Sequence, residues 1–537
     1  METTTDVLVV GGGPTGLMMA TQLARYGVGI RIVDEQADRA QESRAFGLQA
    51  RSLEIFDQLG LGEEFASRAL RAEPIRAYVR GRRIAELHFD PLVGITRYPG
   101  LYLLAQPETE RILLDDLSAR GIAVERSSRL VSFVQDPDGV TAELAHIGSA
   151  ARETVRCRYL VGCDGAHSRV REVLEIPFEG STYPAEFMLA DVELPRDVPF
   201  AVYITRHAVC LVGVLGDRTR IMGVVVDQPS PAADAPVTID DINALTRAAR
   251  APIQIDSALW TSRFRLHHRA TRRYCVGRAF LAGDACHIHT PFGGQGMNTG
   301  FGDATNLAWK LAFVLRGASR ELLDTYELER ERVGEVLVRT TDRAFGLATS
   351  HRFGAGVLRE LIAPIVLQAV ARSYRLRSRV VRFASQLDIR YHPSYAVREV
   401  SDDADPTFRS ALQAGCRVPD LDLDGISLHD LLRGTAVHVL AFGPCKEGEL
   451  RDVEHRHAGT IVVHRVQATA GAEEVFQRFG VSQAAIYIVR PDGYIGFRSF
   501  GPSAHDAADY LNAVLSPAPW QVTSARPTTQ PRADRTS

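Results

Sequence analysis

Apolar and polar positions alternate along this chain in two textures. Residues 6–10 (Asp-Val-Leu-Val-Val) form an apolar, β-branched run stopped by Gly11-Gly12-Gly13. Helical spacing follows from Gly16 to Tyr26 and closes at Gly27, and a second apolar run at 30–33 stops at Asp34-Glu35. Strand, glycine turn, helix, strand predicts a βαβ unit buried in a parallel sheet. Helical spacing returns at 50–59 and 108–120, with a short strand at 159–162. From about residue 177 to 265 the pattern changes to short alternating strands (200–205, 209–215, 220–226) with turn residues between them. This predicts a sheet-rich insertion, joined by residues 75–89. The α/β texture resumes at 279–284, and a long, arginine-rich, mostly helical stretch runs from 303 to 387. A separate unit begins after 402–406, with strands at 436–442, 460–466 and 485–489 and a turn at Arg490-Pro-Asp-Gly493 leading into 494–498. Residues 516–537 are rich in Pro, Thr and Arg and are expected to be disordered.

At 537 residues the chain is long enough for about three to four modules. The patterning assigns 1–74, 101–176 and 270–345 to a discontinuous dinucleotide-binding domain, and 75–100 with 177–269 to a substrate domain. A helical segment (346–400), a C-terminal domain (401–515) and the tail (516–537) follow. Hydrophobic residues at 45% and charged residues at 24% exclude a largely disordered chain. The net charge of −3 gives no case for nucleic acid or an anionic membrane as partner. Of the 62 basic residues only Lys310 and Lys446 are lysines, a bias that reflects a GC-rich genome and carries no functional weight. The seven cysteines are scattered, with no C-x-x-C pair and no zinc spacing, which suits a reducing cytosol and predicts no metal site. Residues 7–24 are uncharged but too rich in Gly, Pro, Thr and Gln for a membrane span, and no signal peptide precedes them. A soluble, cytoplasmic protein is expected.

The chemistry begins at Gly11-x-Gly13-x-x-Gly16, between a strand and a helix. The first glycine permits a tight turn, the second lets backbone approach a pyrophosphate, and the third allows close helix–strand packing. Pro14 and Thr15 lie inside this turn. Asp34, with Glu35 beside it, stands 18 residues past Gly16, suitably placed for a ribose diol. The motif indicates a dinucleotide without choosing between NAD and FAD. Two later stretches make that choice: Leu160-Val-Gly-Cys-Asp164-Gly165-Ala-His-Ser168, and Phe280-Leu-Ala-Gly283-Asp284 followed by Pro291-Phe-Gly-Gly-Gln-Gly296-Met-Asn298. Each alone reads as a capped strand end; the order of all three is far more specific.

With these three fingerprints, and with 43–51 and 104–111 (Leu-Ala-Gln106-x-Glu-Thr-Glu-Arg), the chain resembles the flavin-dependent aromatic hydroxylases, the single-component class A FAD monooxygenases. The resemblance covers residues 5–400 and more weakly extends to 515. It is nearest to the phenol hydroxylases and the polyketide-tailoring and rifampicin-type enzymes, which carry an extra thioredoxin-like domain. The fold class implied is α/β: a Rossmann-like FAD-binding domain interleaved with a sheet-rich substrate domain, plus a C-terminal thioredoxin-like domain. The resemblance implies that Gly11, Gly13 and Gly16 take the FAD pyrophosphate and Asp34 the adenosine ribose. Arg44 and Gln106 would lie along the ribityl-phosphate chain, Leu130 near the adenine, and Asp284 at the ribityl or pyrophosphate region. The backbone of Gly294, Gly296, Met297 and Asn298 would hold the isoalloxazine edge. Asp164 and Gly165 would serve FAD and NAD(P)H together.

The activity implied is an NADPH- or NADH-dependent, O2-dependent hydroxylation of a phenolic or polycyclic aromatic substrate through a flavin C4a-hydroperoxide. Baeyer–Villiger insertion, antibiotic inactivation, a dehydrogenase or reductase without oxygen chemistry, and a non-enzymatic scaffold are the alternatives; a homodimer is left open. Reduced flavin is anionic, and free N–H groups at the start of the apolar helix near 307–315 would face that charge. The base is not evident. Many relatives carry an aspartate where this chain has Phe46, which leaves Tyr203, Arg206 and His207 of the insertion as weak candidates. His287 and His289 are expected to shape the turn before Pro291, and Phe292 to narrow the cavity. Cys416 and Cys445 do not form a redox pair, so the C-terminal domain is expected to be structural or dimer-supporting. The arginines of 372–382 are expected to present solvated faces.

Overall fold

A computed structural model describes residues 3–39, 45–195, 198–226, 236–288, 294–349, 355–401 and 405–516. The strand Thr3–Val10 lies parallel between Arg152–Gly162 and Ile30–Val33; Ala279–Leu281 and Val124–Glu125 extend the sheet on either side. Val7, Leu8 and Val9 have no exposed surface, because a parallel strand covered on both faces needs apolar side chains throughout. The helix Pro14–Arg25 packs against Gly296–Leu315 and Gln106–Ala119. The short strand expected at 159–162 is the end of an eleven-residue strand. Its first half is partly exposed, polar, and paired with the antiparallel strand Val140–His146, which in turn pairs with Ser128–Gln135, so hydropathy hides its start.

The second sheet has eight strands. Its order is His287–Ile288, Trp260–Ala270, Glu179–Val192, Arg218–Val225, Ala208–Leu215, Ala201–Ile204, Ile75–Val79 and Arg82–Leu87. Alternation separates its faces. Met188, Ala190, Ala201, Tyr203, Val212 and Ile221 face the helix Ile239–Ala249. Phe187, Leu189, Leu215, Met222 and Phe264 face Phe46, Ala72 and Leu103 of the first unit. That helix corrects the purely strand-like reading of 177–265. Its sequence signal was a capping box, Thr238 with Asp241, each side chain accepting from the other's backbone.

Four helices follow: Gly296–Leu315, Glu321–Thr349, Ala355–Arg372 and Tyr374–Ala384. The C-terminal sheet has the order Arg398–Val400, Ile495–Phe500, Ala485–Val489, Val437–Phe442, Ile461–Val466. A parallel crossover through the helix Glu447–Arg456 is followed by an antiparallel hairpin. One apolar core runs from the first sheet into one face of this one, through Val437, Val439, Ile486 and Ile488. A buried ionic seam crosses the same contact. Arg490 grips Glu329 with two bonds (2.6 and 2.9 Å) and pairs with Asp492, while Lys310 reaches Glu329 at 2.8 Å. Glu54 is held by Arg51 (3.0 Å) and Arg417 (2.8 Å). All seven side chains are buried, so each charge depends on its partners. Among the described residues no helix is long and apolar enough to cross a membrane, and no group of three or more His, Cys, Asp and Glu is placed to hold a metal. Residues 517–537, the tail expected to be disordered, lie outside the described residues.

Candidate active site

Three distant turns meet on one cleft. Gly11 adopts φ +104°, and a Cβ there would overlap the Cys163 carbonyl at 2.3 Å. The first turn therefore rests on the strand end that carries Asp164. A Cβ on Gly283 would meet Thr15 Oγ1 at 2.5 Å, which brings the third turn, with Asp284, against the same loop. Gly13 is different: a Cβ there would meet no protein atom within 4 Å. It is the N-cap of Pro14–Arg25, and no side chain caps that helix. The first-turn N–H groups and the positive end of the helix dipole face open space of the kind that binds a phosphate.

The acids around this space are set by burial. Asp284 keeps exposed surface at its turn, open to a ligand, while its dense surroundings raise its pKa by desolvation, opposed by His287. Asp164 is nearly buried, and burial raises its pKa as well. One of its oxygens accepts from the Val170 N–H at 3.0 Å; the other, Oδ1, has no partner among the described residues. An orphaned buried acceptor calls for a donor. Gly165, at φ +75°, has open space around it. Asp34 accepts from the Gly12 and Gln36 N–H groups, lies 3.7 Å from Arg126, and is half-buried, with lone pairs left for a diol. Glu35 is exposed.

The remaining expected contacts divide. Gln106 opens the helix Gln106–Ala119, its N–H donating to Ala45 and its side chain to Glu110 (2.8 Å). Gly296 and Met297 begin the helix Gly296–Leu315, and Gly294 precedes its N-cap, Gln295. The Asn298 side chain is fully engaged: it accepts from the Gln49 N–H (2.9 Å) and Ser52 Oγ (2.6 Å) and donates to the Gly47 and Gly294 carbonyls. Leu130 is buried, so it can face a ligand only through its backbone. Arg44, Pro291, His289 and Phe292 lie outside the described residues.

Asp303 is a site residue the sequence reading missed. It accepts from the Gly283 N–H (3.0 Å), from His287 Nε2 (2.9 Å) and from Arg330 Nε (2.7 Å), all of it buried. Burial alone would raise its pKa, but Arg330 and His287 hold it below the usual carboxylate value. Asp303 thus fixes the turn that presents Asp284, with His287 bonded to it; the turn before Pro291 lies outside the described residues.

The apolar layer under Phe46 contains one charged pair. Arg220 grips Asp191 at 2.7 Å through two nitrogens and lies 5.4 Å from the Phe46 ring and 5.9 Å from Trp260. The three candidate bases lie away from this layer. Tyr203 is on the opposite face, stacked on Tyr78 at 4.7 Å, and burial pushes its pKa up to about 12. Arg206 and His207 form the exposed turn beyond it, bonded to each other (2.7 Å) and, through the Arg206 N–H, to Glu360 (2.8 Å). The period-two alternation would have placed Tyr203 with Ala201, had the identity of the inner face been known.

A family profile described as FAD binding domain matches residues 4–341, and one described as aromatic-ring hydroxylase, C-terminal, matches 412–518. The chain is 32% identical to a flavin-dependent monooxygenase of Mycobacteroides abscessus over 529 residues, 95% of this chain and all of the other. It is 33% identical to the 12-dehydrotetracycline 5-monooxygenase/anhydrotetracycline 6-monooxygenase of Streptomyces rimosus, over 91% of this chain and 94% of the other. Among solved structures, a ternary complex of aklavinone-11 hydroxylase with FAD and aklavinone superposes with a TM-score of 0.76 at 27% identity, covering 96% of this chain and 99% of that one.

Proposed function

The chain belongs to the class A flavoprotein aromatic hydroxylases, and from that premise we propose that it draws electrons from NADPH or NADH and places one atom of O2 on a phenolic or fused-ring aromatic substrate. The observation that carries this reading is the convergence of the 11–16 turn, Asp164 and Asp284 on a cleft that protein atoms leave unfilled at Gly13. The donor set fits FAD: uncapped helix N–H groups for the pyrophosphate, Asp34 for the adenosine ribose, and Asp284 for the ribityl region. When bound, FAD supplies the activation of dioxygen and the transfer of oxygen. The protein binds, orients and keeps water out. The start of Gly296–Leu315 turns free N–H groups toward the flavin pyrimidine edge and favours negative charge there. Phe46, Leu103, Phe187 and Phe264 offer an apolar bed for aromatic rings. Arg220, held in place by Asp191, presents the donor end of a buried ion pair to that bed, where it can bond a ring hydroxyl or carbonyl and orient the substrate.

Relatives named for tetracycline and aklavinone oxidation support a fused-ring substrate. The crossover followed by a hairpin supports a thioredoxin-like C-terminal unit; its lack of a C-x-x-C favours a structural or dimer-supporting role over thiol exchange. Seven free cysteines suit a cytoplasmic setting.

The test is direct. Purified protein should be yellow, and a panel of phenols and anthraquinones should stimulate NAD(P)H oxidation and yield a product one oxygen heavier. A reaction that completes without O2 would sink the oxygenase reading. Gly13→Val, whose side chain has room in the fold but occupies the cleft, and Asp284→Ala should both give colourless protein with an unchanged circular dichroism spectrum. Full flavin content in both would overturn the cofactor site.

A further inference from the structure

The helix Ala355–Arg372 is built inside out. Its charged pair is the buried part: Glu360 bonds the Arg206 N–H and Arg80 (2.6 Å), and Arg359 donates to the Arg206 carbonyl at 3.2 Å. Its outward side chains are Val357, Leu358, Leu361, Ile362, Ile365 and Val366, each 45–68% exposed. They form one continuous stripe at helical spacing, and no exposed position from 357 to 369 carries a polar side chain. The next helix, Tyr374–Ala384, extends the stripe with Tyr374, Leu376 and Val380 and interleaves Arg375 and Arg379. Arg377 and Arg382 are paired with Asp90 and Asp388, whereas Arg372, Arg375 and Arg379 have no ion pair among the described residues. Residues 355–384 hold six arginines and one glutamate, a net of five positive charges in a chain of net −3. Nine half-exposed large side chains expose on the order of 600 Å² of apolar surface, at or above the upper end for a surface with no binding role.

We propose that this face docks the protein on an anionic lipid bilayer. Neither helix can cross a membrane, so the contact is peripheral, with the aliphatic stripe at the acyl boundary and Tyr374 and the three arginines at headgroup level. Charge disfavours a second copy, which would bring two segments of +5 together with no exposed acid in either helix to offset them. The lack of hydrogen-bonding side chains along the stripe disfavours a folded protein, whose contacts average about one hydrogen bond per 100–200 Å². The inference is independent of the chemistry assigned to the flavin cleft.

The test floats purified full-length protein with vesicles of phosphatidylcholine alone or mixed with phosphatidylglycerol. The protein should rise with the phosphatidylglycerol vesicles only, and high salt should release it. Arg375→Gln and Arg379→Gln should each weaken binding roughly fivefold. Leu361→Asp/Ile365→Asp should abolish binding while leaving the circular dichroism spectrum and flavin content of the parent. Failure of the parent protein to float with either vesicle overturns the proposal, as does binding that the double aspartate variant retains. A dimer seen by light scattering and dissociated by that same variant overturns it too, because the face would then join two copies.

Discussion

The apolar layer around Phe46 and the ionic seam around Glu329 press on the same flavin-side unit from different directions, and they hold it by different physics. The layer is almost wholly aliphatic and aromatic, with Arg220–Asp191 as its one buried pair. Such contact is non-directional and scales with area, so it can re-form around ligands of different outline. The seam joins Lys310, Glu329, Arg490 and Asp492 through bonds of 2.5–2.9 Å, and its energy depends on geometry. Glu329 and Arg330 are neighbours on one helix: the first is clamped by the C-terminal unit and the second holds Asp303 and thereby the Asp284 turn. The adaptable contact lies on the side proposed for substrate, and the exacting one fixes the helix that holds Asp303 and the Asp284 turn.

The sharpest way to break this contrast is Glu329→Ala. It strands Lys310 and Arg490 without their shared partner and should cost about 3–5 kcal/mol, read as a fall in melting temperature with loss of flavin. On the apolar side, Leu189→Ala should cost about 2–4 kcal/mol and change KM across a panel of aromatics of different size more than it changes flavin content. Equal flavin loss in both variants would erase the distinction. A milder probe is acid. Burial would raise Glu329, but Arg490 and Lys310 bring it from 4.5 down to about 2, so its contribution is complete above the unfolded value and is lost as pH falls from there toward 2. Lowering the pH from about 5 to about 4 enters only the top of that window and should lower the melting temperature modestly, less so in Glu329→Gln. The smallest effect concerns salt. These ion pairs are buried, so about 0.5 M NaCl should change stability by under about 0.5 kcal/mol, whereas surface pairs would show clear screening.

Much of the flavin-side unit is legible in the chain because its signals are local. An apolar run, a glycine turn and an acid at fixed spacing encode the turn, the uncapped helix and the place of Asp34. The C-terminal strands and the hairpin turn at 490–493 were likewise readable, whereas the parallel crossover through Glu447–Arg456 was not. The seam was not, since Arg490 and Glu329 are 161 positions apart and nothing in either neighbourhood names the other; Arg490-Pro-Asp-Gly493 reads only as a turn. Asp303 hides for a similar reason, as an acid inside an otherwise apolar helix. The face on which Tyr203 lies was not legible, because alternation gives two faces without saying which one meets Phe46 and which the helix Ile239–Ala249. The net charge of −3 averaged away the basic, outward-apolar stretch at 355–384.

The lateness of Arg490 in the chain has a consequence for biosynthesis. Helices bearing Lys310 and Glu329 leave the ribosome more than a hundred residues before the guanidinium that clamps them, so the nascent flavin-side unit must wait with that seam half made. A stop codon placed before residue 490 should therefore release a chain that keeps the helices bearing Lys310 and Glu329 but binds the coenzyme poorly. The last fifth of the polypeptide acts as the clasp that completes what the first three-fifths began.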